Sequence, residues 1–210
     1  MHTLYGYPAA GSLVIEAALK EIGAPYRFVH VALEKWPDLD PEFKAANPRM
    51  QVPAIRFADG SVMTESAAIL IQLADLHSEA ELAPPPATPE RAQLLRWLVF
   101  VAVNVYEGEL RRAYADRYTT DPSGAEAVSK SADDYVRWHY GLFEEALGDG
   151  PYFLGMKVSV LDLYVWMLSF WMPDRTWLVS DCPKTHRLIE TTSARPKIAP
   201  LHQTQVVEAG

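Results

Sequence analysis

Two short stretches decide the fold of this 210-residue chain: Gln51-Val52-Pro53 and Thr64-Glu65-Ser66-Ala67-Ala68-Ile69. In the first, an X-Pro bond precedes an apolar run, and such a bond adopts the cis form at a cost of only about 0.5–1 kcal/mol. The second places a carboxylate and a hydroxyl at the start of an apolar helix. The residues between them contain Asp59-Gly60, which predicts a β-hairpin with a type I′ turn.

Working outward, the first 78 residues alternate strand and helix patterns. The predicted strands are 3–7, 26–33, 52–58 and 61–63, and the predicted helices are 13–22, 41–46 and 65–77. Ser12 is placed to cap the first helix and Gly23 to end it. The resulting order, β-α-β-α-β-β-α, predicts a thioredoxin-like domain over residues 1–78.

A proline-rich stretch then separates two kinds of pattern. Pro84-Pro85-Pro86 and Pro89 cannot continue a helix, so residues 79–89 are predicted to be a linker. Beyond it the apolar residues follow helical spacing, with helices expected over 90–118 (bent near Gly108), 125–147, 160–172 and 185–192. This predicts an all-α helical-bundle domain over 90–210, in which residues from 200 onward form a mobile tail.

Composition and charge exclude several classes of protein. The formal net charge of −8 argues against a nucleic-acid partner, because phosphate binding needs a basic surface. No apolar run approaches the roughly 20 residues of a membrane span, and no signal peptide is visible, so a cytoplasmic protein is expected. Cys182 is the only cysteine, and no Cys/His cluster has metal-ligand spacing, so neither an internal disulfide nor a metal is expected.

Each of the two deciding stretches has a functional and a purely structural interpretation. A cis Val52-Pro53 bond would present the backbone of Val52 to an extended peptide, but a proline that opens an edge strand accounts for the same dipeptide. A helix start at Glu65-Ser66 would bind an anion, but Thr64 as a cap and Glu65 against the helix dipole explain the same residues.

Taken together, the stretches resemble the cytosolic glutathione transferase superfamily, bacterial type. The resemblance runs from Asn47-Pro48 through Asp59-Gly60 to Ile69, and again at Gly155…Ser159-Val160-Leu161-Asp162, which resembles the capping box of the family's helical domain. It extends over the chain to about residue 195. It implies that Val52, the residue before a cis Pro53, pairs with the cysteinyl backbone of glutathione, and that Glu65 and Ser66 hold its γ-glutamyl group.

The function implied by the resemblance is that of a glutathione S-transferase. Glutathione is then a co-substrate, its thiolate attacks a small, largely apolar electrophile in detoxification, and the protein is a homodimer. Two alternatives stay open: a glutathione-dependent disulfide or peroxide reductase or isomerase on the same fold, and a non-catalytic binding or scaffold protein.

The group that stabilises the thiolate is the open question. A free thiol has a pKa of about 8.5, and one hydrogen bond to the charged sulfur, worth roughly 1.5–3 kcal/mol, is enough to populate the thiolate near pH 7. Ala10-Gly11 occupies the positions where many bacterial members carry Ser or Cys, so this chain departs from the usual pattern. Ser12 is the first candidate, because its hydroxyl and N–H would both lie at a helix N-terminus facing the thiol, and Tyr5 is the second. A plain helix cap and a buried strand aromatic explain these two residues equally well.

Other residues are candidates for contacts with the rest of glutathione or with the electrophile. Gln51 and Lys35 are expected near the glycine end of glutathione. Tyr7, Tyr106 and Tyr114 are candidates for the electrophile pocket, because aromatic walls suit apolar substrates, although aromatic residues at helical spacing more often belong to a core.

Overall fold

The computed structural model describes residues 1–207 and the side chains of residues 1–205. Contacts divide the chain into two compact units, and each is described by itself. The first comprises Met1–Pro85 together with the segment from Thr192 onward, and the second comprises Pro86–Thr191. The boundary at residues 85 and 86 lies inside the predicted linker. The predicted domain over 90–210 differs from this division at its C-terminal end, because Arg195 and later residues bond to the first unit.

A four-stranded mixed sheet forms the centre of the first unit. Its strands are β1 (His2–Gly6), β2 (Tyr26–His30), β3 (Ala54–Arg56) and β4 (Val62–Thr64). The order across the sheet is β2-β1-β3-β4. β1 and β2 are parallel, whereas β3 runs antiparallel to both of its neighbours. The parallel pair requires a crossover connection, which α1 (Ser12–Ile22) supplies.

Two further helices complete the predicted order of elements: α2 (Pro41–Ala46) and α3 (Ser66–Leu76). α1 ends at Gly23, whose φ of 81° is the left-handed conformation that glycine adopts without strain. α2 begins where the Asp40 carboxylate accepts hydrogen bonds from two backbone N–H groups of the first turn. The thioredoxin-like order predicted from the sequence is therefore confirmed.

The turn between β3 and β4 differs from the prediction. A type I′ turn needs a positive φ at both central residues, but of Asp59 and Gly60 only the glycine has one, at 91°. The Gly60 N–H donates to the carbonyl of Phe57 at 3.0 Å, and the Phe57 N–H donates to the carbonyl of Ser61 at 2.8 Å. The loop therefore has three residues and closes with a left-handed glycine, and the type I′ prediction is wrong.

The second unit consists of helices and loops, with one isolated β-bridge between Tyr152 and Gly155. Its helices are α4 (Pro89–Phe100), α5 (Glu107–Ala113), α6 (Ala125–Ala146), α7 (Val160–Ser169), α8 (Thr176–Asp181) and α9 (Pro183–Ser193), the last of which ends in the first unit. A π-helical segment, Val101–Tyr106, joins α4 to α5. None of the helices in residues 1–207 is long and apolar enough to cross a membrane.

Gly108 has a different role from the predicted bend. A Cβ atom at this position would lie 2.6 Å from a methyl group of Val136 on α6. The glycine therefore allows α5 and α6 to approach closely, and the departure from regular α-helix occurs earlier, in the π-helical segment. The continuous helix predicted over 90–118 is wrong in this respect.

The capping box at the start of α7 is confirmed. The carboxylate of Asp162 accepts hydrogen bonds from the backbone N–H of Ser159 at 2.7 Å and of Phe153 at 2.8 Å. Asp162 is completely buried, and burial raises the pKa of its carboxyl from 3.8 to about 6, although these hydrogen bonds favour the charged form. The box joins the preceding loop to the most deeply buried helix of the unit.

This raised pKa predicts a specific pH dependence of stability. The folded state holds the Asp162 proton more tightly than the unfolded chain. The stabilisation that this protonated carboxyl adds to the free energy of unfolding is therefore complete below pH 4 and is lost as the pH rises through 6. The shift corresponds to about 3 kcal/mol at ~1.36 kcal/mol per unit. We expect the free energy of unfolding of the wild type, relative to Asp162→Asn, to fall by most of this amount between pH 4 and pH 7. Denaturant titrations at several pH values measure it, and equal pH slopes for the two proteins would contradict the assignment.

Candidate functional site

The two deciding stretches lie at one end of the sheet. Ala54 of β3 pairs with Thr64 of β4, so Pro53 and Glu65 are the residues that flank this pair. The Val52–Pro53 bond is cis, and strand pairing begins only at Ala54. The backbone of Val52 is therefore outside the ladder, as the addition of an extended peptide requires.

The start of α3 favours the functional interpretation over simple capping. Glu65, not Thr64, occupies the N-cap position, and no side chain caps the helix there. Glu65 adopts φ 66°, which is uncommon for a residue with a side chain, and Ser66 follows as a buried first helical residue. Since the first turn of a helix presents backbone N–H groups without intrahelical partners, this end of α3 suits an anion.

An ion pair that the sequence did not predict links the loop before Gln51 to the start of α3. Arg49 Nη1 lies 3.0 Å from Glu65 Oε1, and both side chains are 63% exposed. The loop that carries Arg49 is held by Asn47, whose amide donates to the carbonyl of Gln51 at 2.6 Å and accepts from the Arg49 N–H at 3.1 Å. Nothing in the sequence identified Arg49 as the partner of Glu65.

The remaining candidates for glutathione contacts are at the surface. The side chain of Gln51 is exposed, whereas its backbone carbonyl accepts a hydrogen bond from the side-chain amide of Asn47. Lys35 is exposed at the end of a 3₁₀ turn, Leu33–Lys35, that follows β2. Both stay predictions for the glycine end of the peptide.

The hydroxyl of Ser12 points into the protein. Ser12 is 0% exposed, and its Oγ donates to the carbonyl of Tyr7 at 2.9 Å and accepts from the Tyr7 N–H at 3.0 Å. The N-cap of α1 is Gly11, so the prediction that Ser12 caps this helix is wrong. Thiolate stabilisation by the Ser12 hydroxyl stays a prediction that this geometry does not favour, because both sides of the hydroxyl are already bonded.

Tyr5 lies on the other face of β1. Successive residues of a strand point to opposite faces, and Gly6 is the residue that faces Ser12. Tyr5 packs in a cluster with Phe43 and donates its hydroxyl to Glu42 Oε1 at 2.6 Å. Burial and the bond to Glu42 raise its pKa, whereas activation of a thiol calls for an accessible donor. The structure therefore does not bring Tyr5 and Ser12 together.

The three tyrosines proposed for an electrophile pocket have different surroundings. In the first unit, Tyr7 is half-buried with its ring 5.3 Å from that of His30. In the second, Tyr106 packs edge-on against Trp171 at 4.8 Å. Tyr114 is exposed and carries the guanidinium of Arg117 over its ring. All three stay candidates.

Two further observations concern metal-binding groups and the single cysteine. In residues 1–207, no group of three or more His, Cys, Asp or Glu side chains is arranged to hold a metal ion. Cys182 is buried, and burial raises the pKa of its thiol to about 12, which keeps it protonated and unreactive.

Comparisons with known proteins cover both units. The profile "Glutathione S-transferase, N-terminal domain" matches residues 12–76, and "Glutathione S-transferase, C-terminal domain" matches residues 109–204. The uncharacterized GST-like protein YncG of Escherichia coli (strain K12) is 29% identical over 94% of this chain and 95% of its own length. The disulfide-bond oxidoreductase YfcG of the same strain is 27% identical over 79% of this chain and 78% of its own.

Among solved structures, a glutathione transferase homologue from Sulfitobacter with bound glutathione is similar to this fold. Its TM-score is 0.83 at 25% identity, and the alignment covers 98% of this chain and 99% of that one. The two family profiles together span most of the chain and agree with the observed order of strands and helices. The chain therefore belongs to the glutathione S-transferase family.

Proposed function

We propose that this protein is a glutathione S-transferase, which conjugates the thiolate of glutathione to a small, largely apolar electrophile. The observation that carries the proposal is that Val52, which lies outside the strand ladder, and the start of α3, where Glu65 provides no side-chain cap, are at one end of the sheet. The bound glutathione of the Sulfitobacter homologue supports the same ligand here. We include in the proposal a cytoplasmic homodimer that acts in detoxification.

The charged end of glutathione would meet complementary groups on both stretches. Its α-carboxylate would lie against Ser66 and the N-terminus of α3, and its α-ammonium would pair with Glu65. Glu65 must exchange Arg49 for the ammonium, and this exchange costs little because a solvent-exposed ion pair is worth about 0–1 kcal/mol. The cysteinyl backbone would add to Val52 as an extra strand.

For the thiolate, we propose the positive end of the α1 dipole as the stabilising group. α1 has 11 residues and no side-chain cap. Ser12 and Leu13 are 0% and 1% exposed, and the Leu13 N–H already donates to the carbonyl of Ala10 at 2.9 Å, so the proposal uses the dipole and no direct N–H contact. The dipole contributes about 0.3–1 kcal/mol, which at ~1.36 kcal/mol per unit lowers a thiol pKa of about 8.5 by roughly 0.2–0.7 units. The Ser12 hydroxyl then shapes the turn without touching the sulfur.

A second candidate function is a glutathione-dependent disulfide reductase. It is favoured by the similarity to the oxidoreductase YfcG and by the absence of a Ser or Cys side chain at Ala10-Gly11. The same thiolate would attack a disulfide sulfur instead of a carbon electrophile. Parallel assays with an aryl halide and with a glutathione mixed disulfide separate the two functions, because each reports only one kind of acceptor.

The first experiment is an ultraviolet difference titration of the protein with glutathione near neutral pH. We expect a saturable thiolate absorbance, which reports binding and ionisation together. Binding without thiolate would point to a non-catalytic glutathione-binding protein. No binding at millimolar glutathione would reject the proposed function and leave a scaffold role.

Substitutions at the start of α3 test the γ-glutamyl site. We expect Glu65→Gln and Ser66→Ala each to weaken glutathione binding tenfold or more, since each removes a charge-assisted contact worth about 1.5–3 kcal/mol. Calorimetric titration measures the dissociation constant. Glu79→Gln is the matched control, because Glu79 is an exposed acid that bonds His77 in the same unit. Unchanged affinity in both site variants would show that glutathione binds elsewhere.

Ser12→Ala separates the structural role of this hydroxyl from a catalytic one. It removes the acceptor of the part-buried Tyr7 N–H, while the Tyr7 carbonyl keeps the Ala10 N–H at 3.2 Å, so we expect the free energy of unfolding to fall by about 1–3 kcal/mol. Ser61→Ala, at an exposed hydroxyl bonded to Asp59, should change it by less than about 0.5 kcal/mol. We also expect the pKa of bound glutathione to be unchanged in Ser12→Ala. A rise of one unit or more would instead identify the hydroxyl as the thiolate donor.

A further inference from the structure

A groove of about 350 Å³ lies between α5 and α6 in the second unit. It is lined by one residue of α5 and a stripe of α6 at three- and four-residue spacing: Arg111, Ala127, Val128, Ser131, Ala132 and Tyr135. Pockets that bind small molecules have volumes of about 300–1,000 Å³ and apolar walls with a few polar groups. The groove matches this description, and neither Tyr106 nor Tyr114, the two candidates for the electrophile pocket in this unit, is part of its lining.

Arg111 supplies the only charge among the residues that line the groove. Its half-buried guanidinium lies over the ring of Tyr135, 5.1 Å from the ring centroid. Four acids of the same two helices have partners of their own: Glu107 bonds Tyr118, Glu109 pairs with Arg112, Asp133 with Arg137, and Asp134 with Lys130. Within residues 1–205, no carboxylate forms an ion pair with Arg111, although the net charge of the chain is −8.

Hydrogen bonds hold the ring under this guanidinium in place. The hydroxyl of Tyr135 donates to Asn104 Oδ1 at 2.7 Å, and the Asn104 amide donates to the carbonyl of Phe100 at 3.0 Å. Ser129 Oγ donates to the carbonyl of Arg112 at 2.9 Å, which ties α6 to α5 beside the groove. The walls are therefore arranged before any ligand arrives, and such preorganisation lowers the cost of binding.

The chemistry of the lining specifies a ligand with two parts. A guanidinium presents a planar fork of N–H donors that matches the oxygens of a carboxylate or sulfonate. The methyl groups of Ala127 and Val128 and the ring of Tyr135 offer an apolar surface to the rest of the molecule. A neutral apolar ligand would leave the Arg111 charge without a partner, and an inorganic anion would leave the apolar walls in water.

We propose that the groove between α5 and α6 is a binding site for a small amphipathic anion, a carboxylate or sulfonate attached to a flat apolar body, and that Arg111 binds its anionic group. The site is one of binding alone and requires no reaction. The inference goes beyond the proposed function and does not depend on it, because Glu65 and Ser66 belong to the first unit.

A second groove of the same unit provides a matched control. It measures about 390 Å³ and contains Arg175, whose guanidinium lies 5.2 Å from the ring centroid of Phe170. Asp174 and Glu190 also line this second groove, so its charges do not favour an anion. Arg175→Gln therefore removes a similar stacked arginine from a groove in which no anion is expected to bind.

Titration of the full-length protein with 1-naphthoate, followed by amide NMR, tests the site. Saturating S-hexylglutathione is present throughout, so that naphthoate does not bind at the glutathione and electrophile sites of the proposed function. We expect saturable shifts at Arg111 and residues 127–135, a dissociation constant at least tenfold higher in Arg111→Gln, and one within twofold of the wild type in Arg175→Gln. The proposal is overturned by the absence of saturation at millimolar naphthoate, by shifts confined to other residues, or by equal affinity in the two variants.

A neutral ligand of the same shape isolates the contribution of charge. We expect the wild type to bind 1-naphthamide at least tenfold more weakly than 1-naphthoate, because the amide carries no charge for Arg111. In Arg111→Gln this preference should fall below twofold. The comparison of two ligands is made within each protein, so a loss of stability in the variant does not affect it. A wild type that binds both ligands equally would contradict the role of Arg111.

A second copy of this chain is the alternative occupant of the groove, and sedimentation velocity distinguishes it from a small anion. We expect the wild type and Arg111→Gln to have the same sedimentation coefficient at equal concentration, with or without 1-naphthoate. A change in either comparison would identify the groove as a contact between copies and overturn the proposal.

Discussion

The antiparallel pairing of β3 with β4 is the constraint on which the rest of the site depends. Ala54 and Thr64 are paired opposite each other. The residues next to them in sequence, Pro53 and Glu65, therefore lie at one end of the sheet irrespective of their side chains. The ion pair between Arg49 and Glu65 links the loop before Gln51 to the start of α3, but it is exposed and contributes little energy. Backbone pairing, and not charge, therefore brings together the two stretches that are proposed to bind glutathione.

Burial explains why the two candidate hydroxyls, those of Ser12 and Tyr5, form hydrogen bonds inside the protein. A hydroxyl removed from water must find partners inside the protein, and Ser12 finds both of them on the backbone of Tyr7 while Tyr5 finds Glu42. These bonds stabilise the turn before α1 and the contact of β1 with α2. In the proposed function, the positive end of the α1 dipole takes the role that neither hydroxyl is free to fill.

Local patterns predicted most of the architecture, and their failures share one cause. Gly23 ends α1 and the capping box begins α7 as expected, because both depend on residues a few positions apart. Gly108 was interpreted as a bend, yet it is a point of close approach to α6, a neighbour far away in sequence. The turn at Asp59-Gly60 likewise took a three-residue form that fits the register of its strands, which the dipeptide alone does not specify.

The sequence by itself determined the family, the order of strands and helices, and the identity of the two stretches that form the candidate glutathione site. Those features are encoded by spacing, by proline and glycine, and by residues adjacent along the chain. Only the tertiary structure decided that Arg49 pairs with Glu65, that Ser12 faces inward, and that the C-terminal segment bonds to α1. Each of these depends on which distant groups a folded chain brings within hydrogen-bond distance, and periodicity carries no information about that.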